Sequence, residues 1–243
     1  GQAKGREGAQ IQRSNGLTWT HLTLNVNGGE GALQDIEVRK AIFAAVDRNA
    51  VGRSVVEPLE TPIVLTNNYI YMPGQEGYED SFDGGLSGDA ETDKAKKILE
   101  DAGYELNGDV YEKDGKQLKF SVVIPAETKS NEDRARQVMT NLNQAGFKVD
   151  LKTVPSDKYF TDYVLKQNFD FVTFSWQGTL LAELSGSNTY LPDSQQNYTA
   201  FKDEKLTEIN ERLQSELDPE KRREVANEFS KKVAESYTVL PFY

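Results

Sequence analysis

Residues 17–25, LTWTHLTLN, set Leu17, Trp19, His21 and Thr23 against Thr18, Thr20, Leu22 and Leu24. That alternation, with its aromatic and β-branched content, predicts a strand. Beyond the loop NGGEGALQ, the residues Val38, Ala41, Ile42, Ala45 and Val46 recur at helical spacing, and Asp35 is placed to cap a helix reaching about Arg48. A shorter helical segment, NAVGRSVV, follows. Residues 57–90 contain Pro58, Pro62, Pro73 and several glycines, and they predict a long irregular excursion. A stretch of that length is expected to pack as a structured unit or to carry function. A helix over 92–102 puts Ala95, Ile98, Leu99 and Ala102 on one face. DVYEKDGKQLKFSVVIP (109–125) predicts two short strands about a turn at Asp114-Gly115. Ser130 is placed to cap a helix with Ala135, Val138, Met139 and Leu142 inward, and a strand spans 147–154. Ser156 opens a further helix, with Phe160, Tyr163 and Val164 on its buried side. The strand FDFVTFSW (169–176) leads into an irregular polar segment to about 202. Helices over 203–216 and 219–235 come last, the second with Asp218 as cap and Pro219 at its first position.

Two helices stop in the same way, at LEDAGYEL (99–106) and LNQAGFKV (142–149). Gly103 and Gly146 fit left-handed turns, which would bring Tyr104 onto Leu99 and Phe147 onto Leu142. Each stop redirects a helix into a strand, and that order predicts an α/β fold, a mixed sheet covered by helices. The last residues, SYTVLPFY, read as an apolar strand that must pair, either with the first strand or with sequence outside this chain. Residues 1–16 are polar and aperiodic and read as a flexible tail without the apolar centre of a signal peptide. The chain does not start with Met and reads as a processed or excised piece.

Charge and composition narrow the function. With 28 basic against 39 acidic residues the net charge is −11, and the only basic cluster is Lys221-Arg222-Arg223, so nucleic acid is not an expected partner. There is no cysteine, which removes disulfides, thiolate metal sites and thiol nucleophiles. His21 is the single histidine, and a lone His within a strand reads as packed rather than catalytic. DSFDGGLSGDAETD (80–93) gathers Asp80, Asp83, Asp89 and Asp93, but it lacks the alternating ligand spacing of an EF-hand and reads as a solvated acidic loop. No nucleophile elbow, P-loop, zinc-protease or dinucleotide fingerprint occurs. No catalytic residue, metal or cofactor is therefore expected.

SWQGT (175–179) differs in kind, because Trp176, Gln177, Gly178 and Thr179 follow directly on a hydrophobic strand. Open α/β sheets bind ligands at the carboxyl ends of their strands. Trp176 brings an apolar face and an N–H, Gly178 permits close backbone approach, and Gln177 and Thr179 bring hydrogen bonds. Trp176 is equally suited to plugging the edge of the core. Asn27 and Tyr198 complete the candidate ligand-binding set.

Four blocks resemble the family 5 extracellular solute-binding proteins, the oligopeptide- and dipeptide-binding proteins of ABC importers. They are LTLN with LQDIEVRKAIFAAVDRNAV (22–51), DAETDKAKKILEDAGYELNGDVYEKDGKQLKFSVVI (89–124), NLNQAGFKVDLKTV (141–154) and LDPEKRREVANEFSKKVAESYTVLPFY (217–243). The resemblance implies that residues 17–243 form the C-terminal lobe of a two-lobed, periplasmic-binding-protein-like receptor. Strands at both chain ends would then belong to the hinge or first lobe. It implies a monomeric substrate-binding component, not an enzyme, that captures a peptide-like solute and delivers it to membrane permease subunits. It also implies a location on the extracellular face of the membrane or in the periplasm, with any lipid anchor outside this chain. One departure stands out: peptide binders of the family carry an aspartate shortly after the tryptophan, to pair with the ligand's amino group. Thr179 stands there instead, so that role falls away or passes to another group such as Glu183. Two other readings are an acidic protein-interaction module and a carboxylate-based hydrolase.

Overall fold

The computed structural model describes residues 16–57, 61–179 and 181–243, so the expected tail lies almost wholly outside the described residues. The central element is a five-stranded sheet in the order β6-β5-β7-β1-β8. It comprises β1 (Thr18–Leu24), β5 (Lys119–Pro125), β6 (Lys148–Val154), β7 (Phe171–Gln177) and β8 (Val239–Pro241). β5 lies parallel to β6 and β7, whereas β1 runs antiparallel to both β7 and β8, which makes the sheet mixed. β1 is an interior strand, so its alternating pattern is buried on both faces: from Trp19 to Leu24 every residue is buried. The two end strands pair with each other inside this sheet.

Two helices follow β1: α1 (Ile36–Ala45), where Asp35 accepts from the Glu37 N–H, and α2 (Arg48–Val56), where Asp47 accepts from the Ala50 N–H. The irregular excursion that follows has Thr66, Asn68 and Tyr69–Met72 buried. Arg48 clamps it, donating to the carbonyls of Thr66, Leu86 and Pro241 and to the Asn67 side chain. Burial lowers the Arg48 pKa to about 10, and five hydrogen-bonded acceptors compensate its charge.

α3 (Thr92–Asp101) and α4 (Lys129–Gln144) end as their sequence predicts. Gly103 (φ 83°) and Gly146 (φ 89°) are left-handed, and the Tyr104 and Phe147 N–H groups bond back to the Leu99 and Leu142 carbonyls at 2.9 and 3.0 Å. Ser130 is not the cap of α4; Thr128 holds that position, with its hydroxyl turned to the Ala126 carbonyl. Asp114 and Gly115, both at positive φ, turn β3 (Val110–Lys113) into β4 (Lys116–Gln117). The second expected strand breaks at Leu118: β4 stays with β3 and with β2 (Glu105–Asn107) in a separate small sheet, while β5 enters the main sheet. β2 is exposed throughout and carries no alternation to announce it.

After β6, the one-turn α5 (Ser156–Lys158) widens into a π-helical turn over Tyr159–Val164, seen in the Leu165 N–H bond to the Phe160 carbonyl. The wider turn shifts the inward register. Tyr159 takes the buried place expected of Phe160 and donates to the Thr173 carbonyl, and Phe160 is left 45% exposed. α6 (Ala182–Ser185) follows β7, and α7 (Glu204–Ser215) and α8 (Pro219–Ala234) start at Asp203 and Asp218, each of which accepts first-turn N–H groups. Alternate residues of β5 serve two packed layers. Val122 and Ile124 join the main core with Ala135, Val138 and Leu142 of α4, whereas Val123 joins Tyr159, Val164, Val172 and Phe174 on the other face.

Candidate functional site

The carboxyl ends of β5, β6 and β7 form one rim of the sheet, and the start of β1 lies there too because it is antiparallel to β7. Trp176 and Gln177 prove to be the last two residues of β7, with Gly178 and Thr179 just beyond. Trp176 pairs with Trp19 across the strands and is half-buried. Its indole stacks on Tyr198 with ring centroids 5.9 Å apart and planes 9° from parallel. His21 lies 6.4 Å away, tilted 18° from the indole plane. Phe174 meets it edge-on at 5.3 Å, and Phe160 in turn meets Phe174 at 5.5 Å. The indole therefore packs on the core with part of its surface and stays accessible with the rest.

Its neighbours are held locally. Gln177 accepts a hydrogen bond from the Thr18 hydroxyl at 2.6 Å, and the Thr179 and Ser185 hydroxyls bond at 2.7 Å, tying α6 back to the strand end. Gly178 is needed for contact with the chain itself: its N–H donates to the Leu17 carbonyl at 2.7 Å, and a Cβ there would sit 2.8 Å from that oxygen. Beside these residues opens a cleft of about 100 Å³, lined among others by Trp19, Tyr69, Met72, Trp176, Thr179 and Tyr190. None of its lining side chains is charged. Ligand pockets usually enclose roughly 300–1,000 Å³. This cleft has the dimensions of part of a site.

Trp176, Gln177, Gly178, Thr179 and Tyr198 thus come together at one rim. Asn27 does not. It follows the far end of β1, where its backbone N–H donates to the Asn25 side chain and its neighbour Gly28 lies against Asp170. A seven-residue strand separates it from the indole, a span of roughly 20 Å. Glu183, the alternative partner for an ammonium, already accepts from the Tyr71 hydroxyl at 3.1 Å. Trp19, Tyr69 and Tyr190 were missed in the sequence; only the strand register and the fold of the excursion bring them to the indole.

His21 is fully buried, with Nδ1 3.0 Å from the Thr23 hydroxyl. Burial, and behind it the positive charge of Arg134, pushes its pKa down to about 3. In the acidic loop, Asp80 accepts from Asn67 and the Phe82 N–H, and Asp89 accepts from Asn49. Among the described residues, no three His, Cys, Asp or Glu side chains converge on a point where a metal ion could sit.

A helix-covered mixed sheet thus carries a cluster of aromatic side chains at the rim of its strand ends. Residues 1–198 match the family model of the bacterial extracellular solute-binding proteins, family 5, and the chain belongs to that family. Its members are binding proteins, not enzymes. The chain is 32% identical over 223 residues to the oligopeptide-binding protein OppA of Mycobacterium bovis, covering 91% of this chain and 37% of that protein. A periplasmic EDTA-binding protein, EppA, superposes with a TM-score of 0.85 at 26% identity over 95% of this chain and 43% of its own. The oligopeptide-binding protein AppA of Bacillus subtilis, in complex with a nonapeptide, shares the fold with a TM-score of 0.78 at 21% identity, over 94% of this chain and 45% of its own. The chain therefore spans less than half the length of each of these proteins.

Proposed function

We propose that residues 17–243 form one lobe of a two-lobed receptor that serves an ABC importer. The receptor captures a peptide-like solute between its lobes and hands it to membrane permease subunits. It works as a monomer outside the cell membrane, either in the periplasm or held by a lipid anchor beyond this chain. The curated relative is well over twice as long, which leaves room in a receptor of that size for a second lobe. A peptide-like ligand is favoured by the oligopeptide-binding relative at 32% identity. The single histidine speaks against a nickel cargo held by imidazoles.

The observation that carries the reading is the open rim itself. Trp176 is half-buried against three aromatic rings, beside a cleft too small and too exposed to enclose a solute alone. A second lobe closing over this rim would complete the enclosure, in the manner of hinged binding proteins. Trp176→Ala in the complete receptor should weaken binding of an oligopeptide roughly tenfold in calorimetry, with the circular dichroism spectrum unchanged. Loss of the folded spectrum without a separable binding defect would make Trp176 a core residue and remove the site.

A further inference from the structure

Asparagine followed by glycine occurs at 15–16, 27–28 and 107–108, and Asn15 lies outside the described residues. The pair is chemically fragile. Glycine has no side chain to hinder its own backbone nitrogen from approaching the amide carbon of the asparagine, and attack there releases ammonia. In a folded chain two conditions decide the matter. The glycine N–H must be free, and the backbone must be able to turn the amide onto it. The two described pairs differ in both.

Asn27 is exposed, but the nitrogen it would need is occupied. The Gly28 N–H donates to the Asn25 carbonyl at 2.8 Å, and the Asn27 N–H donates to the Asn25 side chain at 3.0 Å. Gly28 is buried, with Asp170 only 2.9 Å from where a Cβ would stand, and its carbonyl accepts the Gly31 N–H at 3.1 Å. Asn107 is the opposite case. It is the last residue of the wholly exposed β2, and Gly108-Asp109 makes the two-residue turn into β3. Gly108 is exposed, stands at φ 65°, and would have no atom within 4 Å of an added Cβ. Among the described residues nothing accepts its N–H, and no hydrogen bond holds the Asn107 side chain. β2 pairs with β3 alone, over three residues, so it belongs to the parts of a fold that open most easily.

We infer that Asn107 is a site of spontaneous deamidation, at which the chain modifies itself through the Gly108 nitrogen. That nitrogen gives its proton to water and bonds to Asn107 Cγ, while the Cγ–Nδ2 bond breaks and the amide leaves as ammonia. Water then opens the cyclic imide at one of its two carbonyls, giving aspartate or isoaspartate. Both products place a negative charge beside Asp109. Isoaspartate also moves a methylene into the backbone, which breaks the register of β2 on β3. The change stays within the hairpin, because buried Tyr111 of β3 keeps its bonds to the Gly146 carbonyl and the Glu100 carboxylate.

The test ages the 243-residue chain in warm, mildly alkaline buffer, assigns each conversion to its residue by fragment mass spectra, and detects isoaspartate with an isoaspartyl methyltransferase. In the native chain Asn107 should convert roughly tenfold faster than Asn27 or more, with isoaspartate among its products. In urea the two rates should converge, because unfolding removes the bonds that protect Asn27. Gly108→Ala keeps the asparagine but crowds the attacking nitrogen, and it should slow the conversion several-fold. Asn107→Gln should abolish the isoaspartate signal at this position and leave the melting temperature unchanged. Equal native rates at Asn107 and Asn27, or an Asn107 that keeps its amide, would overturn the site. A gap that persists in urea would trace the difference to neighbouring residues and not to the fold, which overturns the structural argument. Aspartate without isoaspartate would mean direct attack by water and remove Gly108 from the reaction.

Discussion

His21 shows how a single residue can be legible in kind and not in degree. A lone histidine in a β-branched strand reads as packed, and it is, enclosed by Trp19, Phe174 and Trp176 with Nε2 lacking a partner. Its folded pKa of about 3 lies below the ordinary 6.5, so the unfolded chain binds a proton that the native chain refuses. The stability it contributes is complete above pH 6.5 and falls as pH drops toward 3. Between pH 6.5 and about 5, urea unfolding should show a loss of about 1.5 kcal/mol in the native chain that is missing from His21→Gln. The comparison cancels the carboxylates common to both chains. Equal pH slopes would mean that the native imidazole is protonated or hydrated.

Element-scale structure was legible wherever one residue type has one conformational use. Asp35 and Asp218 cap the helices they were expected to cap, and the two glycine stops fall where they were read. The misses share a physical cause. The π-helical turn after Ser156 moves the inward register by one residue, and β2 has no buried face, so neither leaves a periodic trace. The candidate site was half-legible for a related reason: Trp176 ends a recognisable strand, but its pairing with Trp19 rests on a register that no single strand contains. The two stops also differ in a way the sequence conceals. A Cβ on Gly103 would meet nothing nearer than the Lys113 side chain at 3.9 Å, whereas one on Gly146 would lie 2.5 Å from the buried ring of Tyr111. Gly103→Ala should therefore cost about 1 kcal/mol, the left-handed penalty alone. Gly146→Ala should cost about 3 kcal/mol, because the Tyr111 ring must move as well. Urea midpoints at constant m-value separate the two; equal losses would show that the Tyr111 ring yields freely.

At the scale of the whole molecule, the first and last described strands clasp each other in the central sheet. β8 contributes only three residues to the sheet, yet Val239, Leu240 and Phe242 are all buried. Other elements close around it: Tyr69 donates to the Val239 carbonyl, Arg48 to that of Pro241, and the Thr66 N–H to that of Phe242. Removing residues 239–243 would take away three buried apolar side chains, whose burial is worth roughly 1.5–3 kcal/mol each. It would also take one of the acceptors that keep the buried Arg48 charge tolerable. A domain has only about 5–15 kcal/mol of stability to lose. The shortened chain should therefore lose its single sharp thermal transition and bind a hydrophobic dye at room temperature, while the 243-residue chain melts cooperatively. A truncated chain that still melts sharply within a few degrees of the parent would show that the sheet stands without its last strand. The excursion around Arg48 would then have to be held by its remaining bonds, to Thr66, Asn67 and Leu86.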